Sequence, residues 1–267
     1  MNIFEVLKGT SPIVLGQPHG GTFIPDDIFS RLNQRGQRRD DTDWHISTLY
    51  DGFLAGASVV KSNVHRYVID ANRDPSGKTL YPGQNTTELC PTTDFDGLNI
   101  WQSGQAPSSD EVENRRLAYH EPYHDALAEE LERVRTVHGI AILYDCHSIR
   151  SNIKFLFHGT LPIFNIGTNN GETCSAKIEA IVYSICQEKD SANTVLNGRF
   201  KGGWTTRHYG QPETGVHAIQ MELAQRAYMS EVFPWAFDLD RARIVQPKLK
   251  RILTELAKYA SAGEIRT

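Results

Sequence analysis

One apolar run constrains the fold of this 267-residue chain more than any other feature. Residues 140–144 (IAILY) are apolar throughout, as expected of a strand that is covered on both faces. Polar residues follow at once, among them Asp145 and His147. Such strands are typical of sheets with helices on both sides, so the run predicts the central strand of an α/β protein.

Shorter apolar runs bounded by turn residues predict five further strands. They lie at residues 12–17, 58–64, 155–157, 194–196 and 216–223. Amphipathic segments predict a long surface helix within residues 111–137, which Pro122 should begin or kink, and a C-terminal helix around residues 244–256. This alternation of strands and helices predicts one α/β domain over residues 1–267.

Residues 74–109 are rich in Gly, Pro, Thr, Ser and Asn and show little periodicity. A stretch of this length without regular structure is too long for an ordinary connection. We therefore expect a functional loop that lies over the active-site end of the sheet.

The composition excludes several classes of function. The formal net charge of -4 and the scattered basic residues give no dense basic surface for nucleic acid. No window approaches the roughly 18 apolar residues of a membrane span, and the N-terminal residues do not resemble a secretory signal. The four cysteines stand far apart, which is typical of reduced thiols in the cytoplasm. We expect a cytoplasmic protein with a small-molecule partner, and the sequence does not set its oligomeric state.

Two histidines follow predicted strands. His19 lies in a Gln-Pro-His-Gly-Gly motif after the first strand, and His147 follows the central strand. Ligands gather beyond the carboxyl ends of strands in open α/β sheets, so both imidazoles are candidates for contact with a metal or a substrate. Asp145 lies two residues before His147, on the same face of a strand, where it can orient the imidazole. A hydrogen-bonded loop histidine is the alternative for position 19.

A cluster of acids lies between the two histidines. Asp40, Asp41, Asp43 and His45 offer oxygen and nitrogen ligands of the kind that divalent metals take. A catalytic zinc site usually has three protein ligands, so one acid from this cluster would complete a set with the two histidines. A helix N-cap before the apolar Ile46 explains the same acids equally well.

Cationic side chains form two candidate anion sites. Asn72 and Arg73 follow a strand, and the planar guanidinium group suits a carboxylate or an acyl oxygen; a salt bridge to Asp70 or Asp74 is the alternative. The second group lies among glycines, which suits an anionic small molecule but also a plain surface turn. Its members are Arg199, Lys201 and Arg207.

Glu222 stands inside a run that otherwise predicts a buried strand. A buried carboxylate is costly unless it is paired or functional. We therefore predict Glu222 as a catalytic base, with a salt bridge to Arg226 as the alternative.

These motifs together resemble the N-formylglutamate amidohydrolases, and they follow one another over most of the chain. The motifs are Pro18-His19-Gly20-Gly21 with Ile24-Pro25, Asp41-Thr42-Asp43-Trp44-His45, Asn72-Arg73-Asp74-Pro75, Asp145-Cys146-His147-Ser148, Gly198-Arg199-Phe200-Lys201-Gly202-Gly203 and Gln220-Met221-Glu222. The resemblance implies a three-layer α/β/α fold with a mixed central sheet, similar to zinc carboxypeptidases and other phosphorylase/hydrolase-like proteins, with aspartoacylase and succinylglutamate desuccinylase as further relatives. It also implies metal-dependent hydrolysis of N-formyl-L-glutamate to formate and L-glutamate, the last step of a histidine degradation route.

The resemblance implies one divalent metal, with zinc preferred, held by the histidines at positions 19 and 147. In the related deacylases an acidic ligand stands three residues after the first histidine, but this sequence has Thr22 there. We therefore predict Asp43 as the second ligand, with Asp41 and His45 as alternatives.

The remaining implied roles concern the substrate, an acidic N-acyl amino acid. Glu222 would take a proton from water, and Arg73 would stabilise the oxyanion or bind a carboxylate beside Asn72. The cations at positions 199, 201 and 207 would hold the dicarboxylate of glutamate. Three alternatives remain: a deacylase for another N-acyl acidic amino acid, a thiol hydrolase that uses Cys146, and a non-catalytic binding protein for acidic metabolites.

Overall fold

In the described part of the chain, residues 2–79, 82–188 and 191–262 of a computed structural model, seven strands form one mixed sheet. The strands are β1 (Phe4–Leu7), β2 (Ile13–Gln17), β3 (Ser58–Ser62), β4 (Ala141–Ile149), β5 (Phe164–Gly167), β6 (Thr194–Leu196) and β7 (Val216–Ala224). Their order across the sheet is β1-β3-β2-β4-β7-β5-β6. The strand predicted as central is therefore the middle one.

Four neighbouring strands run in the same direction. β2 is parallel to β3 and to β4, and β4 is parallel to β7. The outer strands β1 and β5 pair antiparallel with this group, while β6 is parallel to β5. Because the carboxyl ends of parallel strands lie at one edge, the polar residues that follow β2, β4 and β7 are brought together there.

Helices cover both faces of the sheet. They are α1 (Asp26–Phe29), α2 (Gln34–Gln37), α3 (Ile46–Tyr50), α4 (Ser109–Arg115), a π-helix (Arg116–His120), α5 (Glu121–His138), α6 (Ala176–Gln187), α7 (Trp204–Tyr209) and α8 (Leu239–Ser261). Three short 3₁₀ turns complete the set: Ser191–Asn193, Pro212–Thr214 and Gln225–Ala227.

The period of two along β4 divides the core into two layers. Ile142 and Tyr144 pack with α3, α6 and α8, whereas Ala141 and Leu143 pack with α5 on the other face. All nine residues of β4 are buried. This is the α/β architecture with a mixed sheet that the sequence predicts.

The helix prediction around Pro122 is confirmed. Ser108 caps α4 by accepting a hydrogen bond from the amide of Glu111, and Pro122 lies in the first turn of α5. Proline cannot donate to the preceding turn, and a π-helix at this junction accommodates that loss.

One strand prediction is wrong, and two strands were not predicted. Residues 155–157 form a turn in which the amides of Leu156 and Phe157 both donate to the carbonyl of Ile153. Leu156 and Phe157 are half-buried against a small apolar cluster that includes Ile153 and Leu161, and Phe155 is exposed. The unpredicted strands are β1 and β5, four residues each.

The long loop reaches the edge where the parallel strands end. Thr86, Thr87 and Phe95 line the cleft described below.

In the described residues, no helix has the length and the apolar content needed to cross a membrane.

Candidate active site

Three buried side chains from separate parts of the chain converge at the carboxyl edge of the sheet. His19 follows β2, Asp43 precedes α3, and His147 lies in β4. The Nδ1 atoms of the two histidines are 3.2 Å apart. Oδ2 of Asp43 lies 3.4 Å from Nδ1 of His147 and 3.9 Å from Nδ1 of His19. Tetrahedral ligands at about 2.0–2.2 Å from a zinc ion are about 3.3–3.6 Å apart, so this group could hold a metal ion.

Backbone contacts place Asp43 beside the histidines. Its amide donates to the carbonyl of His19 over 3.1 Å, and its Oδ2 accepts from the amide of Ser148 over 3.0 Å. The N-cap alternative is wrong, because α3 begins after His45 without a side-chain cap. The carboxylate of Asp43 therefore faces His19 and His147 and does not cap α3.

The two alternative ligands point elsewhere. Asp41 accepts from the hydroxyl of Tyr67 and from the amide of Phe95. His45 donates from Nε2 to the carbonyl of Trp235 over 2.7 Å. Of the acids and the histidine in this segment, the structure brings Asp43 to the two histidines.

A second carboxylate orients each histidine. Nε2 of His19 lies 2.7 Å from Oδ1 of Asp70, and Nε2 of His147 lies 3.0 Å from Oδ1 of Asp145. Because Nε2 faces a carboxylate, each imidazole presents Nδ1 to the centre. Asp145 was predicted for this position, but Asp70 was not.

The charges in this region favour a bound cation. Burial and the nearby charge of Arg66 lower the pKa of His19 to about 4, so this imidazole is neutral at pH 7. Burial opposes protonation of His147, but Asp145 and Asp43 outweigh it and raise the pKa of that imidazole well above its usual value. The same carboxylates would attract a metal ion.

Glu222 lies directly across from His147 in the pairing of β7 with β4. Burial, with the charges of Asp43 and Asp145, raises the pKa of Glu222 to about 8, against the opposing effect of His147. The predicted salt bridge with Arg226 does not form, because that guanidinium group donates to Ser151 and to the carbonyl of Leu161 instead.

Gln220 holds Glu222 in place. Its Nε2 donates to Oε2 of Glu222 over 3.1 Å, and its Oε1 accepts from the amide of Gly203 over 2.7 Å. Since a backbone amide can only donate, this contact sets which end of the Gln220 amide faces Glu222.

Arg66 is a site residue that the sequence analysis missed. It is buried, and it donates to Oδ1 of Asp43 over 3.2 Å. It also lies 3.7 Å from Oδ2 of Asp70 and over the ring of Phe95. Its position soon after β3 was the available signal, since polar residues there reach the same edge of the sheet.

A narrow cleft with a cavity volume of about 60 Å³ opens beside the three converging side chains. Its polar lining includes Arg66, Arg73 and Arg199. Arg73 donates to the carbonyl and hydroxyl of Thr87, and it also lies 3.6 Å from Asp70, so the salt-bridge alternative is present while binding of an anion by Arg73 stays a prediction. Arg199 donates to the carbonyls of Leu156 and Asn85.

Asn72 lies between the histidine centre and α7. Its Nδ2 is 3.2 Å from Nε2 of His147, and its Oδ1 accepts from the amide of Thr205. A Cβ atom on Gly203 would lie 2.2 Å from Nδ2 of Asn72, so this glycine leaves room for the amide.

Two predicted substrate contacts do not line the cleft. Arg207 lies in α7 and donates from Nε to the carbonyl of Gly202. Lys201 precedes α7, and its side chain is not part of the cleft wall. The arrangement therefore gives these two residues no support as substrate ligands.

Cys146 points to the opposite face of β4. It packs in the core with Ile142 and Tyr144, whereas Asp145 and His147 face the cleft side. Burial raises the pKa of this thiol well above its usual value. This geometry argues against a thiol nucleophile.

The sequence of this chain matches a family model described as N-formylglutamate amidohydrolase over residues 11–229. The chain belongs to the N-formylglutamate amidohydrolase family. It is 42% identical over 258 residues to the N-formylglutamate deformylase of Pseudomonas aeruginosa, covering 96% of this chain and 97% of that one. It is 42% identical over 255 residues to the Pseudomonas putida protein of the same name, covering 95% of each chain.

Solved structures show the same fold. The N-formylglutamate amidohydrolase of Ralstonia eutropha JMP134 superposes with a TM-score of 0.81 at 23% identity, over 98% of this chain and 100% of that one. The Agrobacterium tumefaciens gene product Atu2144 gives a TM-score of 0.71 at 17% identity, over 96% of each chain. Both confirm the α/β fold of this family member.

Proposed function

We propose that this family member hydrolyses N-formyl-L-glutamate to formate and L-glutamate with a bound divalent metal ion, preferably zinc. The observation that carries the proposal is the convergence of His19, Asp43 and His147 beside Glu222, in a cleft lined by arginines. The relatives named N-formylglutamate deformylase support the same substrate. We further propose that the reaction ends a route of histidine breakdown in the cytoplasm.

The donor set fits a catalytic metal ion. Two imidazoles and one carboxylate converge, and each imidazole is oriented by a further carboxylate. When held by His19, Asp43 and His147, a zinc ion would supply a Lewis acid for the formyl carbonyl and would lower the pKa of a water molecule to about 7.

Glu222 acts as the base in this proposal in its ionised form, because the cation proposed beside it would oppose the rise in its pKa that burial and the neighbouring carboxylates cause. It takes one proton from the attacking water while the water oxygen bonds to the formyl carbon. When the carbon–nitrogen bond breaks, Glu222 returns the proton to the departing nitrogen. Gln220 keeps the carboxylate directed at the cleft. The products are formate and glutamate.

The arginines bind the negative charges of the substrate. N-formylglutamate carries two carboxylates, and the carbonyl oxygen gains charge during the attack. Arg66 contacts Asp43 beside the histidines, and in this proposal it stabilises that oxygen. Arg73 and Arg199, held by loop residues 85–87 and 156, bind the carboxylates.

Formate release from N-formyl-L-glutamate tests the proposal. We expect turnover by the zinc-loaded protein, loss with a chelator and recovery on adding Zn²⁺. Glu222→Gln should reduce kcat about 100- to 10,000-fold while the metal content stays unchanged, and Glu213→Gln, at an exposed site, serves as the control. A Glu222→Gln protein with most of its activity would exclude Glu222 as the base.

A substrate panel separates this function from the alternatives. N-acetyl and N-succinyl derivatives of glutamate and aspartate would be preferred by a deacylase of another specificity. Tight binding of N-formylglutamate without turnover, in protein that contains no metal, would indicate a binding protein instead.

A further inference from the structure

Two histidines outside the cleft contact the backbone on either side of Asn72. Nε2 of His124 lies 2.7 Å from the carbonyl oxygen of Ala71, and Nε2 of His120 lies 3.1 Å from the carbonyl oxygen of Arg73. A carbonyl oxygen only accepts, so both Nε2 atoms must carry a proton and donate. The two contacts lie on either side of Asn72, whose side-chain Nδ2 is 3.2 Å from Nε2 of His147.

The state of His124 is set by its surroundings. Burial lowers its pKa well below the usual value, so the ring is neutral. With the single proton on Nε2, Nδ1 is an acceptor, and the hydroxyl of Tyr209 lies 3.1 Å from it. The orientation of this imidazole is therefore held through Nε2, while the hydroxyl of Tyr209 donates to the backbone carbonyl of His124 over 3.0 Å.

The histidine pair lies where the helix changes its geometry. His120 ends the π-helix and His124 lies in the first turn of α5, with the two ring centres 4.3 Å apart. A π-helix is rare and often marks a functional part of a helix. The sequence analysis did not identify either histidine.

Helix α7 connects the pair to the side chain of Asn72. The ring of Trp204 lies 4.6 Å from that of His124 and 5.4 Å from that of His120. The next residue, Thr205, donates its amide to Oδ1 of Asn72 over 2.9 Å. The histidines thus hold the backbone of the segment while α7 holds the Asn72 amide.

We propose that His120 and His124 are positioning residues that fix the backbone of residues 71–73, so that Asn72 and Arg73 face the cleft. Neither histidine lines the cleft, so both act through this segment. The inference rests on the proposed hydrolase function for its kinetic consequence. Its structural part is independent of the substrate.

Substitutions that remove or keep the donor test the kinetic part. We expect His124→Leu and His120→Leu to lower kcat/KM by about 10- to 100-fold at unchanged metal content, as for other small displacements of positioned groups. His124→Gln and His120→Gln keep a donor near the ε position and should recover most of the loss. His138→Leu, at the other end of α5, is the control and should resemble the wild type.

A double-mutant comparison separates positioning from a general loss of structure. With Asn72→Ala already present, His124→Leu should reduce kcat/KM by a smaller factor than in the wild type, because the part of its effect that acts through Asn72 is already lost and only the part through Arg73 remains. A purely structural role predicts the same factor in both backgrounds and would overturn the proposal. If His124→Leu does not fold, the same comparison of His120→Leu in the wild-type and Asn72→Ala backgrounds distinguishes positioning from a general loss of structure.

Hydrogen exchange gives a readout without substrate. The amides of Asn72 and Arg73 donate to Asp70, and their exchange should become at least about tenfold faster in the Leu variants. It should stay near the wild-type rate in the Gln variants and in His138→Leu. Unchanged exchange in the Leu variants would overturn the proposal. If the wild-type protein does not hydrolyse N-formyl-L-glutamate, the proposed function is overturned. The exchange rates of the Asn72 and Arg73 amides then decide whether the histidines position residues 71–73.

Discussion

At the residue scale, carboxylates surround the two imidazoles of the candidate metal centre. Asp43 lies between them, Asp70 lies against His19 and Asp145 lies against His147. Arg66 compensates part of this negative charge. Such a concentration of buried charge is stable only when cations are present, which a metal ion would provide.

The sequence predicted the side chains that converge at the candidate centre better than the side chains that orient them. His19, His147 and Glu222 follow or lie in strands whose apolar runs are visible, so their place at one edge of the sheet could be inferred. Arg66 and Asp70 depend on how the segment after β3 folds back onto β2. That contact joins residues far apart in the chain, and no local pattern encodes it.

Asp70→Asn should weaken zinc binding by about 10- to 100-fold, as expected for a carboxylate that orients a histidine ligand. The amide keeps the shape but loses the charge that holds Nε2 of His19. Competition with a coloured chelator measures the affinity, and Asp125→Asn, exposed on α5, is the matched control. Equal affinities for the two variants would show that Asp70 does not act on the metal.

Gly203→Ala should lower kcat/KM about tenfold or more while the protein stays folded. The added methyl group would lie 2.2 Å from Nδ2 of Asn72, so the amide must move away from its contact with His147. In an Asn72→Ala background the same change should have little further effect, because the space is then open. Steady-state kinetics and thermal unfolding of the four proteins test this.

At the element scale, the parallel pairing of β4 with β7 places His147 opposite Glu222. Both strands were predicted because they are long and apolar. The unpredicted strands β1 and β5 are four residues long, and β5 contains Asn165 and Gly167. Their sequences therefore show little of the apolar pattern that predicts a strand. Residues 155–157 show the converse error, since a short apolar run can also lie in a partly exposed turn.

The helix α5 gives the protein a pH-dependent stability through His124. Its pKa in the folded protein is well below 6.5, so below pH 6.5 the unfolded chain binds a proton that the folded protein does not. The free energy of unfolding should therefore fall with decreasing pH, by up to about 1.4 kcal/mol per pH unit for this group. Urea unfolding between pH 7.5 and 5.5 should show a shallower fall in His124→Gln. Equal slopes would contradict a neutral His124.

At the scale of the whole molecule, the candidate metal centre joins β2, β4 and the segment before α3. An ion that binds the folded protein at about 100 times its Kd stabilises it by about 2.7 kcal/mol. For a protein of this size we expect Tm to rise by about 5–10 °C when Zn²⁺ is added to chelator-treated protein. His147→Ala should show no rise. A wild-type Tm that does not change when Zn²⁺ is added would argue against a metal bound at this position.

The separation of the ligands along the chain has a consequence for biosynthesis. His19 and His147 are 128 residues apart, and their meeting depends on β2 lying beside β4. A nascent polypeptide that has not yet extended beyond residue 147 lacks one imidazole and the strand that carries it. Binding of an ion by this candidate centre would therefore be a late event, after the middle of the sheet has assembled, and an N-terminal fragment should have no comparable affinity for zinc.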